Sequence, residues 1–184
     1  MIPHGLIVDR IEKLAQVIRE DYESTIHLVC VLKGGNAFFQ DLLTALRRYH
    51  DFSKHTYVPF TYDFIRVKSY KGTQSLGSVQ ITGADLSALA GKDVLLVEDI
   101  IDTGLTMSSL LPVLEARGAN SVRVASLLEK RTDKSCGYKA DYTGFSIPDK
   151  FVVGYCLDFN EYYRDMNHIC IIGDEGIERF AKEA

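Results

Sequence analysis

Three carboxylates stand close together at residues 98–102, where an apolar run ends and a polar turn begins. Glu98, Asp99 and Asp102 follow the run VLLV at 94–97, and the sequence Thr-Gly-Leu-Thr follows at 103–106. Neighbouring carboxylates repel one another, so their presence here indicates a ligand that supplies positive charge or hydrogen-bond donors. Carboxylates accept hydrogen bonds from a vicinal diol, while the backbone N–H groups at a helix start bind phosphate. The segment therefore predicts a site for a sugar phosphate.

The expected place of these acids in the fold supports a binding role. In an open α/β sheet, ligands bind beyond the carboxyl ends of the strands, where the strand order reverses. A lone Asp at such an end more often caps the helix that follows. Here two adjacent acids, with a third in reach, are followed directly by the Thr-Gly-Leu-Thr turn. This combination favours binding over capping.

Strand-like and helix-like segments alternate along the chain. Amphipathic helices are predicted at 9–22, after 35, from about 104 to 118, and at 175–184; strands are predicted at 26–32, 57–67, 93–97, 121–128, 150–159 and 168–173. This order predicts an α/β fold with a twisted, mainly parallel sheet flanked by helices, in a single domain over 1–184. Residues 68–91 lack periodicity, and a loop of that length is usually a mobile lid or a disordered insert.

The composition excludes several functional classes. The chain has 184 residues, a formal net charge of −4 and 46% hydrophobic residues. No basic field suggests nucleic acid, and no apolar run is long enough to span a membrane. The four cysteines (Cys30, Cys136, Cys156 and Cys170) lack CxxC spacing. We expect them to be reduced packing residues in a cytoplasmic protein, without zinc or disulfides.

The stretch VLLVEDIIDTGLT at 94–106 resembles the ribose-phosphate-binding signature of type I phosphoribosyltransferases. Further matches point to the hypoxanthine-guanine phosphoribosyltransferase branch and extend over nearly the whole chain: LVCVLKGGNAFFQDL, FIRVKSY, ASLLEKRTD and GFSIPDKFVVGYCLDFNEYYRDMNHICII. The resemblance implies the type I phosphoribosyltransferase fold. In that fold a small hood, built from the N-terminal segment and late residues, accompanies the sheet.

The resemblance also implies a reaction. The 5-phosphoribosyl group of phosphoribosyl pyrophosphate would pass to N9 of hypoxanthine or guanine, giving IMP or GMP and pyrophosphate in purine salvage. Mg²⁺ is the implied cofactor, since substrate phosphates and one or two carboxylates are its usual ligands. The partners would be these small molecules, with no nucleic acid and no membrane, and we expect a homodimer or homotetramer.

At the sugar, the resemblance assigns roles to the signature residues. Glu98 and Asp99 would bind the ribose hydroxyls and the metal, and Asp102 would act as general acid/base at the purine N7. We expect burial and like-charge neighbours to favour the protonated form of Asp102. The 5′-phosphate would bind the turn after Asp102, through Thr103, Gly104, Leu105 and Thr106.

The remaining roles fall on residues scattered along the chain. Lys33, Gly34 and Arg164 would bind pyrophosphate, where the family's backbone often turns through a non-proline cis peptide. The purine would contact Ile100, Lys130, Phe151, Val152 and Asp158, and Asp158 would hold a second metal ion. Ser69 and Tyr70 match the tip of the lid, which would exclude water from the reacting centre.

Two other interpretations stay open. The chain could be a catalytically silent phosphoribosyltransferase-fold protein that senses nucleotides. The presence of Asp102, Lys130, Asp158 and Arg164 argues against this, because a silent relative should have lost at least one of them. The chain could also be an enzyme that prefers xanthine, since discrimination at C2 of the purine depends on fine pocket geometry.

Overall fold

The computed structural model describes residues 1–22, 25–49, 59–69 and 79–181. These residues form helices α1 His4–Asp21, α2 Asn36–Arg48, α3 Leu105–Glu115 and α4 Asp174–Arg179. Their strands are β1 Ile26–Leu32, β2 Phe60–Ser69, β3 Val79–Thr82, β4 Asp93–Ile101, β5 Ser121–Arg131, β6 Tyr142–Pro148, β7 Val152–Val153 and β8 Cys170–Ile171. A 3₁₀ turn covers Leu86–Leu89.

The main sheet has the strand order β3-β2-β1-β4-β5-β6. All neighbouring pairs are parallel except β2 with β3, which pairs antiparallel at the edge. From β1 the chain moves through α2 to β2 on one side, and it later returns to place β4 on the other side of β1. The strand order therefore reverses between β1 and β4. A ligand site is expected beyond the carboxyl ends of these two strands.

The central strands are apolar on both faces because helices cover both. The four residues of the run at 94–97 are fully buried. On one face, α1 and α2 pack against the sheet, and α2 contributes Phe39, Leu42, Leu43 and Leu46. On the other face, α3 and the 3₁₀ turn contribute Met107, Leu110, Leu114 and Leu89. This two-sided burial fixes the position of β4, which carries the acids.

A second, two-stranded sheet of β7 and β8 lies against the N-terminal segment. The N–H of Ile2 donates to Ile169 O at 2.7 Å, and the N–H of Ile169 donates back at 3.1 Å. The backbone N–H of His4 donates to Nδ1 of His168 at 3.0 Å. The N-terminal segment and the late residues therefore form one unit, as the predicted hood requires.

The mainly parallel sheet and its flanking helices confirm the predicted fold class, but several predicted segments were wrong. The strand predicted at 150–159 shrinks to Val152–Val153, because the following residues turn through left-handed backbone. Strand β6 was missed, since Gly144, Ser146 and Pro148 interrupt the apolar residues of YTGFSIP. Residues 79–82 and 86–89 of the expected lid are a strand and a 3₁₀ turn.

The other differences concern helices. Helix α1 begins at His4 rather than at 9, and α3 runs through Pro112, although a proline removes one helical N–H. Within the residues that the structure describes, no helix has the length and apolar character needed to cross a membrane.

Phe39 tests the packing of α2 on the sheet. Its ring is fully buried and lies 5.2 Å from the Phe64 ring and 5.6 Å from the Tyr62 ring, centroid to centroid. Phe39→Ala should lower the free energy of unfolding by about 3–5 kcal/mol, because the lost ring leaves a cavity. Urea unfolding measures the change. The exposed Leu6 of α1 is the control, and Leu6→Ala should change stability by about 0.5 kcal/mol or less. Equal losses for both variants would contradict this packing.

Candidate active site

A cavity of about 320 Å³ opens where the strand order reverses, between the ends of β1 and β4. It collects residues from four separate parts of the sequence. Eleven of the predicted site residues line it: Lys33, Gly34, Glu98, Asp99, Ile100, Asp102, Thr103, Gly104, Thr106, Asp158 and Arg164. The strand order brings these distant residues together, as the sequence predicts for the carboxyl ends of neighbouring parallel strands.

Gly34 and Asp99 are in direct contact where β1 and β4 end. A Cβ atom added at Gly34 would lie 1.7 Å from Oδ2 of Asp99, so no side chain fits there. The peptide bond between Leu32 and Lys33, at the start of the same turn, is cis. The carboxylate of Asp99 therefore lies directly over the backbone of the Lys33-Gly34 turn.

Glu98 is the most deeply buried acid of the cavity. Only 9% of the residue is exposed, and its Oε2 finds no hydrogen-bond partner among the described residues. Burial, together with a side-chain hydrogen bond to Asp99 and the charge of Asp99, raises the pKa of Glu98 well above its usual value. A buried acceptor without a partner is costly unless a ligand supplies donors or positive charge.

Asp102 has a different environment from the one expected. Its side chain is 55% exposed, and Oδ2 accepts a hydrogen bond from Nζ of Lys130 at 3.1 Å. Lys130 is itself largely buried, and its Nζ also lies 3.8 Å from Oδ1 of Asp149. The burial and like-charge crowding predicted for Asp102 fall on Glu98 instead. The carboxylate of Asp102 contacts the ammonium group of Lys130 and is otherwise exposed to solvent.

The turn at residues 102–106, hereafter the phosphate loop, leads into α3. Gly104 adopts a left-handed backbone with φ +83°, and α3 begins at Leu105. The first N–H groups of a helix have no partner within the helix and point outward along its axis, where they attract anions. The side chains of Thr103 and Thr106 line the same end of the cavity, whereas Leu105 is 60% exposed and does not line it.

Two cations lie at the other end of the cavity, and both are held by carboxylates. Nη2 of Arg164 lies 2.7 Å from Oδ1 of Asp158, while Nη1 donates to the carbonyl of Cys156 at 2.7 Å. Nζ of Lys33 lies 2.8 Å from Oε2 of Glu161. These contacts bring the loop after β7 against the turn after β1, so both cations face the same space.

The residues predicted to contact the purine are only partly brought together. Ile100 and Asp158 line the cavity, and Lys130 reaches it through Asp102. Phe151 is 52% exposed, with its ring edge-on to Phe159 at 5.8 Å, and it does not line the cavity. Val152 lines a separate apolar cavity of about 180 Å³.

Of the two residues predicted at the tip of the lid, only Ser69 belongs to the described part of the chain. Ser69 is the last residue of β2 and pairs with Val79 of β3. Tyr70 lies outside the described residues. Val67, two residues before Ser69, lines the cavity, so the end of β2 lies near its mouth.

Sequence reasoning missed two residues that contact the predicted cations. Glu161 holds both Lys33 and Arg164, and Asp149 approaches Lys130. Both acids lie within the quoted segment GFSIPDKFVVGYCLDFNEYYRDMNHICII, which also contains the predicted site residues Asp158 and Arg164. The sequence could not predict which cations these acids contact. Lys33 and Lys130 are distant from them in the chain, and Arg164 meets Glu161 only because the chain turns between them.

The burial of Glu98 predicts an unusual stability profile. Because its folded pKa is raised, the carboxyl group stabilises the fold when protonated, and this contribution is lost as the pH rises through the folded pKa. Glu98→Gln should therefore stabilise the metal-free protein at about pH 8 by at least about 1 kcal/mol. The gain should shrink towards about pH 5.

Thermal unfolding in the presence of a chelator measures both values. The exposed acid Glu161, whose pKa is lowered by Lys33 and Arg164, is the control. Glu161→Gln should not stabilise the protein at either pH. A constant difference between the wild type and Glu98→Gln across this range would contradict the burial of an ionisable group.

Comparison with known proteins adds a second line of evidence. Residues 3–160 match the family model described as the phosphoribosyl transferase domain. The chain is 54% identical, over 184 residues, to hypoxanthine-guanine phosphoribosyltransferase of Canis lupus familiaris, covering 97% of this chain and 83% of that protein. It is also 53% identical to phosphoribosyltransferase domain-containing protein 1 of Homo sapiens, covering 98% of this chain and 80% of that protein.

A solved structure agrees in fold. The hypoxanthine-guanine phosphoribosyltransferase of Schistosoma mansoni, in complex with IMP, superposes with a TM-score of 0.80 at 38% identity. The match covers 98% of this chain and 84% of that one. The chain therefore belongs to the phosphoribosyltransferase family, in the group of the hypoxanthine-guanine phosphoribosyltransferases.

Proposed function

We propose that the protein transfers the 5-phosphoribosyl group of phosphoribosyl pyrophosphate to N9 of hypoxanthine or guanine. The products are IMP or GMP and pyrophosphate. One observation carries the proposal: a single cavity joins two adjacent acids, a helix start suited to phosphate and a pair of cations. These three features match the sugar, the 5′-phosphate and the pyrophosphate of one substrate.

The acids act on the ribose. Glu98 and Asp99 accept hydrogen bonds from the 2′- and 3′-hydroxyls, which supplies the donors that Oε2 of Glu98 lacks. As the bond to pyrophosphate breaks, positive charge grows on the ribose ring. Carboxylates held in place before the reaction stabilise that charge without reorganisation, and such preorganisation is often the largest catalytic contribution.

Asp102 and Lys130 act together on the purine. Lys130 donates to O6 of the base, and Asp102 exchanges a proton with N7. The 3.1 Å contact between Nζ of Lys130 and Oδ2 of Asp102 supports this pairing, because two groups so close together can reach the same edge of one base. Ile100, Phe151 and Val152 supply the apolar and backbone contacts of the purine, with Phe151 closing over it from its exposed position.

Lys33 and Arg164 bind the pyrophosphate. Both side chains exchange a carboxylate of this chain for the oxygens of the substrate, so each cation keeps an anionic partner. The planar guanidinium of Arg164 suits two phosphate oxygens at once. The turn at Gly34 gives the substrate access to backbone, since no side chain projects there.

Mg²⁺ fits the acids of the cavity. The described residues contain no group of three or more His, Cys, Asp or Glu side chains able to hold a metal ion by themselves. Mg²⁺ typically binds through one or two carboxylates plus substrate phosphates, so a preformed cage is not required. Glu98, Asp99 and Asp158 would hold it. When bound, the ion offsets the negative charge of the leaving pyrophosphate.

Two further parts of the proposal concern access and assembly. The lid, with Ser69 and Tyr70 at its tip, closes over the cavity mouth and excludes water. The protein works as a homodimer or homotetramer. All four cysteines are free, in keeping with a reducing cytoplasm.

Competing bases test the reaction directly. The protein is incubated with Mg²⁺, phosphoribosyl pyrophosphate and hypoxanthine, guanine or xanthine, and ultraviolet absorbance follows nucleotide formation. We expect nucleotide from hypoxanthine and guanine. No product from any base would support the nucleotide sensor, and product mainly from xanthine would support the third interpretation.

Asp102→Asn tests the proton transfer. The variant should lower kcat about 10²–10⁴-fold, the usual contribution of a general acid/base, with smaller changes in both KM values. The exposed Asp9 of α1 provides the matched control, and Asp9→Asn should retain wild-type turnover. Undiminished turnover of Asp102→Asn would remove Asp102 from the chemistry.

Gly34→Ala tests the contact between the two strand ends. Its methyl group would displace the carboxylate of Asp99, so KM for phosphoribosyl pyrophosphate should rise about tenfold or more. Gly5→Ala serves as the control because no atom lies within 4 Å of the added Cβ position. Steady-state kinetics measure both. An unchanged KM in Gly34→Ala would mean that the substrate does not depend on this contact.

A further inference from the structure

The segment at 132–138 begins the connection between the parallel strands β5 and β6, and this connection contains no helix. It folds into turns of its own, in which the N–H of Ser135 donates to Thr132 O at 3.2 Å and the N–H of Gly137 donates to Oγ of Ser135 at 3.1 Å. Residues 134–138 belong to no motif that the predicted chemistry uses. The segment nevertheless packs against the phosphate loop.

Cys136 makes the closest contacts between this segment and the phosphate loop. Its backbone N–H donates to the carbonyl of Thr103 at 2.8 Å. Its Sγ lies 3.4 Å from Oγ of Ser108, in the first turn of α3, and either atom can donate. Sγ also lies 3.0 Å from the position that a Cβ of Gly104 would occupy. One residue therefore touches the loop, its glycine and the helix that follows.

The segment is held firmly enough to act as a support. Tyr138 packs its ring against the buried cluster under α3, and its Cβ lies 2.8 Å from the Cβ position at Gly104. Lys139 forms an ion pair with Glu129 of β5, and Glu129 also accepts a hydrogen bond from Thr143 of β6 at 3.1 Å. The segment is thus tied to the sheet through Lys139 and to the phosphate loop through Cys136, so a larger side chain at position 136 would press on the loop.

We propose that Cys136 is a positioning residue that sets the affinity of the phosphate loop for the 5′-phosphate of the substrate. This inference rests on the proposed function. Cys136 holds the carbonyl of Thr103 on one side and the first turn of α3 on the other, so it limits how far the phosphate loop can move. It contacts none of the residues assigned to the purine or to pyrophosphate. Its effect should therefore appear in the binding of phosphate esters and not in the binding of the base.

Substitution at position 136 tests this role. Cys136→Leu places a larger side chain against Gly104 and should raise KM for phosphoribosyl pyrophosphate about tenfold, because a small misplacement of a binding loop is costly. KM for hypoxanthine should stay within about twofold. Cys136→Ser keeps a small group able to hydrogen-bond Ser108 and should stay within about twofold of the wild type in both constants. The control is Cys170→Leu in β8, away from the phosphate loop, which should leave KM for phosphoribosyl pyrophosphate unchanged.

A chemical modification of the folded protein avoids any effect of the substitution on folding. Cys136 is exposed, and its hydrogen bond with Ser108 lowers the pKa of its thiol, so it should react with methyl methanethiosulfonate. The thiolate attacks the divalent sulfur of the reagent's S-methyl group, the S–S bond of the reagent breaks, and a mixed disulfide and methanesulfinate form. The modified wild type should show the same rise in KM for phosphoribosyl pyrophosphate. The treated Cys136→Ser variant should not, and dithiothreitol should restore the wild type.

A binding measurement separates this inference from the proposed function. Calorimetry with ribose 5-phosphate reports on the phosphate loop without turnover, and Cys136→Leu should weaken its binding about tenfold. If the wild type binds ribose 5-phosphate but forms no nucleotide, the proposed function fails and the role of Cys136 is still tested. Equal binding by wild type, Cys136→Leu and modified protein would overturn the role of Cys136. A parallel rise in KM for hypoxanthine would do the same, because a general disturbance would then explain both.

Discussion

The whole site depends on the close contact between the ends of β1 and β4. The carboxylate of Asp99 occupies the space that a side chain at position 34 would fill, so the turn after β1 and the acids after β4 share one surface. That contact exists because the strand order reverses between these strands and leaves a crevice at their carboxyl ends. The acids proposed to bind the sugar and the turn proposed to bind pyrophosphate can then contact neighbouring parts of one substrate.

Electrostatic balance within the cavity follows from this arrangement. The chain is acidic overall, yet Lys33, Lys130 and Arg164 are concentrated at the cavity, each opposite a carboxylate. In the proposed function an anionic substrate takes the place of those carboxylates, so the cations would be paired before and after binding. Glu98 differs from the other acids of the cavity, since its Oε2 is buried without a hydrogen-bond partner among the described residues. An unpaired buried acceptor lowers stability, and in the proposed function the ribose hydroxyls supply the missing donors.

Sequence reasoning succeeded where the signal was local. The acids and the helix start directly follow the apolar run at 94–97, and Gly34 lies in LKGG directly after a strand-like run. In both places the sequence itself indicates where a strand ends and a loop begins. It failed where distant contacts decide the environment. Asp102 lies beside Lys130 of β5 instead of among buried acids, and the strand predicted at 150–159 turns after Val153. Cys136 gave no signal at all, because its contacts with Thr103 and Ser108 depend on how a loop folds across α3.

The loop after β7 carries five non-glycine residues with positive φ: Tyr155, Cys156, Asn160, Glu161 and Tyr163. Left-handed backbone costs such residues roughly 1–2 kcal/mol each, so the loop holds its shape only through its contacts with the rest of the chain. Such a region opens at a lower free energy than the core strands. On gradual heating, the loop that carries Arg164, the residue proposed to bind pyrophosphate, should lose its structure before the sheet unfolds. Inactivation would then precede global unfolding.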